Sequence, residues 1–239
     1  ALGGAVTSSI ARSLGAADKP RAEKLLWHSL YISCFGALAF LIIFFIFGEA
    51  LLRILGGTGA LLEESLAYCF VYLLGAIVVW LSGSLTAALR GMGDMQFPAV
   101  LTVICAGIQI FFSAGFILGS FGLPKLGLVG SAWSMIVTSG FMALVTLIKI
   151  SSPSSPVRLK LKRLTIEREL FGDIFSVALP ASLSPIMTVA TVLLLTGLIG
   201  QFGTSAIAGY GIGSRVEFLL IPIVFGIGTA MTAMVGTNI

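Results

Sequence analysis

The sequence predicts an all-α, polytopic transmembrane fold built of apolar helices with a two-lobe internal repeat. Three observations predict it. Hydrophobic residues make up 57% of the 239 and charged residues only 10%, against about 25% charged in an ordinary soluble domain; the mean hydropathy is +1.09. The charges are bunched, leaving uncharged runs between Lys24 and Glu49, Glu64 and Arg90, Asp94 and Lys125, Lys125 and Lys149, and Asp173 and Arg215. Finally, Gly3, Ala5 and Thr7 recur as Gly228, Ala230 and Thr232 at a constant offset of 225 residues. Apolar internal repeats are a signature of secondary transporters.

Each uncharged run is long enough to hold a helix of about 20 residues, the length that crosses about 30 Å of hydrocarbon. Backbone groups cannot go unpaired in lipid, so such runs are helices or closed barrel strands. Barrel strands alternate in polarity over about ten residues, and these runs do not. The expected elements, in order, are a truncated helix over 1–14, spans over 25–47, 65–88, 96–119, 127–148 and 174–199, and a last helix over 205–239. Gly91 and Gly93 permit a tight turn, and Pro98 suits the first turn of the helix that follows. Pro180 and Pro185 lie inside a helical run and predict a bend there, either a gating hinge or a packing kink. The last helix exceeds one membrane thickness, so it must tilt, protrude or break, with Gly211 and Gly213 as weak points. No signal peptide is expected, for no basic n-region precedes a short apolar run. The chain reads as cut from something longer, with one full period of the repeat.

Lys and Arg set the orientation. Segments 12–24 and 149–168, with Arg90, fall on one side if the spans alternate, and together they carry eleven basic residues. The other side has Arg53 and Lys125, plus Arg215 within the last helix. By the positive-inside rule the first side is cytoplasmic. The net charge of +4 then speaks for topology and anionic lipid, and no nucleic-acid partner is expected. Residues 1–150 are read as a first lobe, 151–168 as a cytoplasmic linker marked by Ser151-Ser-Pro-Ser-Ser-Pro156, and 169–239 as the start of a second lobe. Residues 159–170 are either a short interfacial helix or a solvated basic loop.

The motifs resemble, in order and along the whole chain, those of the MATE (multidrug and toxic compound extrusion) family within the wider flippase superfamily. They are SLGAADKPRAEKLL at 13–26, AALRGMGDMQFP at 87–98, LGLVGSAWS at 126–134, Leu179-Pro180, and GTSAIAGYGIGSRVEF at 203–218. The resemblance implies two six-helix lobes, of which this chain spans the end of the second helix to the end of the eighth. It also implies a multi-pass protein of the cytoplasmic (inner) membrane, acting as a monomer. Its implied activity is export of lipophilic or cationic drugs by alternating access, coupled to inward movement of H+ or Na+. No enzymatic activity, metal or other cofactor is expected. The alternatives are a lipid-linked oligosaccharide flippase and a non-transporting scaffold or receptor.

Charge inside a membrane is costly and marks candidate function. Glu217 is the foremost case. It lies roughly 31 Å up the last helix from Asn238 by helical rise, near the outer rim. It is either a cation-binding carboxylate at the cavity mouth or an interfacial charge; Arg215 lies two residues away on another face. The family's Asn and Asp of the fifth helix fall on Gln109 and Ser113, the Thr of the sixth on Met135, and a Glu of the seventh on Thr188. Cation coupling through those groups is therefore altered, while Gln109, Ser113 and Thr188 remain hydrogen-bonding candidates for the cavity. Ser113 and Thr188 are as well explained by local bonds to the preceding turn. Tyr210, Phe218, Trp80 and Trp133 are candidates to stack on a flat cation. His28 is expected at the interface, and Cys34, Cys69 and Cys105 show no metal-binding spacing.

Overall fold

The computed structural model describes residues 2–54, 58–153, 155–159, 165–202, 209–214 and 220–238. Among these, all regular structure is helical: α1 (Leu2–Gly15), α2 (Lys19–Ile54), α3 (Gly59–Leu74), α4 (Ala76–Gly91), α5 (Gln96–Leu118), α6 (Leu128–Ser151), α7 (Arg168–Gly200) and α8 (Leu220–Asn238). Among the described residues five helices are long and apolar enough to span a membrane, and α3 with α4, bent between them, passes the same test as a pair. Residues 209–214 are also helical.

The ends of the elements follow from local chemistry. After α1 the chain turns through Ala17 at φ 57°. Asp18 then caps α2, its Oδ1 accepting the Arg21 N–H at 3.0 Å, which satisfies one of the free donors of a helix start. Asp94 does the same for α5 by accepting from Phe97 N–H at 3.0 Å, directly after Gly93 at φ 87°. At its other end α5 closes on Gly119 in the left-handed region, whose N–H reaches the Gly115 carbonyl at 2.8 Å.

Three expectations need correction. The span placed at 25–47 is a helix of 36 residues, about 54 Å long at 1.5 Å per residue. Missing charge marks the hydrocarbon, not the helix, and the charged ends remain helical; Glu49 and Arg53 even pair one turn apart at 2.7 Å. The span placed at 65–88 is two helices, bent by 48° at Gly75. A Cβ at Gly75 would lie 2.2 Å from Cγ1 of Ile136 on α6, so the bend lets α6 approach where only glycine leaves room. His28, expected at the interface, is fully buried. Of the linker, residues 155–159 and 165–167 are not helical, and 160–164 lie outside the described residues. One helix, α7, runs through both Pro180 and Pro185.

In the packing, α1 is central: it touches α2, α4, α7 and α8, while α5 packs only on α6 and α4 among the described residues. The buried apolar core lies at the basic end of the bundle, where Ile10, Leu25, Leu26, Ile150, Val157 and Ile174 are essentially without solvent contact. Away from that end, large apolar side chains face outward, with Phe35 69% and Phe45 76% exposed on α2. Such a belt fits lipid as its solvent. Small polar groups join the helices: Thr7 Oγ1 donates to the Ala87 carbonyl at 2.9 Å, and the hydroxyls of Ser33 and Ser84 meet at 2.6 Å. Hydroxyl bonds of this kind hold membrane helices together.

Candidate functional site

Two groups of residues predicted from the sequence occupy two different places. Thr188 and Tyr210 come together. They line a cavity of about 510 Å³ with Ser184, Met187, Thr191 and Ser214, between α7 and the helical residues 209–214, with Ile221 of α8 at its edge. The spacing of Ser184, Thr188 and Thr191 puts their side chains on one face of α7. Thr188 Oγ1 donates back to the Ser184 carbonyl at 3.0 Å, and Thr191 Oγ1 to the Met187 carbonyl at 2.8 Å. Each hydroxyl oxygen keeps acceptor capacity toward the cavity. The lining thus combines an aromatic ring, a flexible thioether and hydroxyl acceptors, a set suited to a large compound of mixed polarity.

Gln109 and Ser113 are elsewhere, on α5, which has no packing contact with α7 or α8 among the described residues. Gln109 Nε2 donates to Ser134 Oγ on α6 at 2.9 Å, and Ser134 Oγ in turn donates to the Ser131 carbonyl at 2.8 Å. The Gln109 Oε1 atom is buried and lacks a hydrogen-bond partner, as is Thr138 Oγ1 one turn beyond Ser134. Ser113 is half-buried. The α6 residue facing Gln109 is therefore Ser134, not its neighbour Met135, which is 37% exposed. Ser134 stood within the LGLVGSAWS motif, and its place one residue before Met135 was the only available signal. Arg215 and Glu217 lie outside the described residues. No cluster of three or more metal-ligating side chains occurs among the described residues.

A third group was not anticipated. The start of α2 presents Arg21, Lys24 and His28 on one stripe, facing the start of α7. Arg21 binds Asp173 at 2.6 Å and Glu169 at 3.1 Å, and Lys24 binds Glu167 at 2.6 Å. The hydrogen bond to Asp173, followed by its charge, raises the Arg21 pKa further. The hydrogen bond from Lys24 holds the Glu167 carboxyl below its ordinary value. His28 Nε2 accepts the backbone N–H of Glu167 at 3.0 Å, so the ring proton is assigned to Nδ1, which donates to the Lys24 carbonyl at 2.8 Å. The ring also stands edge-on to Phe171, with centroids 4.6 Å apart. Beside this junction, a polar cavity of about 300 Å³ is lined by Ser9, Arg12, Ser13, Asp18, Arg21 and Asp173.

Comparison with known proteins gives this geometry a context. The family model MatE matches residues 1–114 and 180–239. The "Probable multidrug resistance protein NorM" of Thermotoga maritima is 27% identical over 96% of this chain and 49% of its own length. The "Probable multidrug resistance protein YoeA" of Bacillus subtilis is 24% identical over all of this chain and 52% of its own length. A solved structure described as the outward-facing conformation of a multidrug resistance MATE family transporter superposes with a TM-score of 0.88 at 27% identity, covering 99% of this chain and 53% of that one. The chain spans about half the length of the curated relatives it matches.

Proposed function

This chain belongs to the MatE family, and we propose that it forms part of a multi-pass transporter of the cytoplasmic membrane that exports lipophilic or cationic compounds by cation-coupled antiport. Residues 1–150 would belong to one lobe and 169–239 to the other, joined by the basic linker 151–168. The observation that carries the reading is the cavity of about 510 Å³ between α7 and residues 209–214, lined by Met187, Thr188, Thr191 and Tyr210. It is large enough for a drug-sized molecule. Its hydroxyl acceptors and aromatic ring favour a cation without committing to one ligand geometry. The family match and the names of the relatives support the same substrate class.

Alternating access supplies the mechanism. The lobes would rock about a central cavity, and inward movement of H+ or Na+ would return the empty transporter to its loading state. The α2–α7 ion pairs and the core around Ile10 and Leu26 pack the basic end of the bundle, which in this reading is the cytoplasmic end and would be the closed one. The reading needs no enzymatic step, no cofactor and no second protomer. It is tested by equilibrium binding of a fluorescent cationic dye to the purified full-length natural protein. Saturable binding that weakens several-fold in Tyr210→Ala is expected; binding unaffected by Tyr210→Ala and Thr188→Val together would contradict this placement of the site.

A further inference from the structure

The repeat read from the sequence and the packing of α1 on α8 meet at one point. The offset of 225 that pairs Gly3 with Gly228 and Thr7 with Thr232 also pairs Ala11 with Gly236. In the fold these two equivalent residues face each other. Both are buried, and a Cβ built on Gly236 would lie only 2.8 Å from the Ala11 Cβ. One turn along α1, a Cβ on Gly15 would lie 2.8 Å from the Gly236 carbonyl oxygen and 3.0 Å from that of Thr237. Farther up α8 the situation is the opposite: around Gly226 and Gly228 nothing lies within 4 Å.

Where a two-fold axis relates two repeats, equivalent positions that touch lie beside that axis. Among the described residues five spans lie between α1 and α8, counting the bent pair α3–α4 as one, so the two helices run in the same direction and the axis lies along the membrane normal. This is the relation found between parallel repeats that rock against one another in transporters. The contact sits at the basic end, next to the Arg21–Asp173 pair and the Ser9–Arg12 cavity. Packed interfaces of this closeness are bistable rather than compressible.

We infer that the Ala11–Gly236 crossing is the seal of the cytoplasmic mouth, placed on the dyad between the repeats, and that the combined side-chain volume at these two positions sets how often that mouth opens. The inference rests on the transporter reading for its purpose, but not for its test. One methyl group is present at the crossing, on α1. Adding a second on α8 overfills it and shifts the population toward the open state. Exchanging the two residues keeps the volume and, on a two-fold axis, restores the fit.

The test uses the full-length natural protein without its native cysteines and with Ser9→Cys as reporter, since Ser9 is 3% exposed in the closed mouth and lines the adjoining cavity. A membrane-impermeant maleimide is applied to the cytoplasmic face of everted vesicles, and the labelling rate is read without any drug. Gly236→Ala is expected to raise the rate at least threefold. The exchange Ala11→Gly with Gly236→Ala should bring it back to within twofold of the parent, and Gly226→Ala on the open face should leave it unchanged. Variants are compared only where size-exclusion profiles match the parent. The inference is overturned if Gly236→Ala and Gly236→Val both label at the parental rate, or if the exchange labels as fast as Gly236→Ala alone. A protein that exports no dye can still give either result, so the two readings fail separately.

Discussion

His28 on α2 accepts the backbone N–H of Glu167, the residue just before α7, at 3.0 Å. The bond crosses 139 residues of sequence and ties the start of α7 to the basic end of α2. Replacing His28 by Ala leaves that N–H without its acceptor and removes a ring packed against Phe171. An unsatisfied polar group costs about 1–3 kcal/mol. A clear fall in the melting temperature of the purified protein in detergent is expected, with a smaller fall for His28→Gln, whose amide oxygen retains an acceptor. Equal melting of His28→Ala and the parent would refute this role.

Acid should weaken the same junction. The Glu167 carboxyl titrates below its ordinary value because Lys24 hydrogen-bonds its charged form. A group whose folded pKa is depressed contributes stability above its unfolded pKa and loses it as pH falls through the folded value. The parent should therefore exceed Glu167→Gln in stability at neutral pH, and the gap should close as pH drops through and below the carboxylate range. The pair is partly exposed, so the gap is small and shrinks with salt. A gap that widens on acidification would mean the sign is wrong.

Gly130 predicts a steric effect. A Cβ there would lie 2.6 Å from both the carbonyl carbon and oxygen of Phe116, and backbone of a neighbouring helix cannot swing aside as a side chain can. Gly130→Ala should cost about 1–3 kcal/mol by overpacking, whereas Gly107→Ala, inside α5 with nothing within 4 Å, should be neutral to slightly stabilising, by up to about 1 kcal/mol of helix propensity. Thermal unfolding of the two variants side by side settles it.

The Gln109–Ser134 bond of 2.9 Å makes a fourth prediction. Ser134→Ala leaves the Gln109 amide nitrogen without its acceptor, beside a buried oxygen that already lacks a partner. The expected loss is about 1–3 kcal/mol, larger than for Gln109→Leu, which removes both unsatisfied ends together. Melting of the two variants in the reverse order would show that the amide finds other partners.

The helices were legible because lipid permits little else: uncharged runs marked α2, α5, α6 and α7, and glycine and proline marked the α4–α5 turn. Composition could not show the break at Gly75, where the Ile136 side chain of another helix packs so close that a Cβ would lie 2.2 Å from it. Nor could it bury His28, whose partner is a backbone N–H far along the chain. Thr188 and Tyr210 were picked out one by one, and only the fold shows that they share a cavity. The ion pairs between α2 and α7 were hidden for another reason: Arg21, Lys24, Glu167 and Asp173 look like ordinary solvated charges until the two helices are brought side by side.

The most direct test of the account is dye export by the full-length natural protein in everted membrane vesicles, with the proton and sodium gradients collapsed separately. A cationic dye should accumulate, and accumulation should vanish when one of the two gradients is removed, which names the coupling ion. Accumulation that survives loss of both gradients, or none at all from protein shown to be folded and inserted, would contradict cation-coupled drug export.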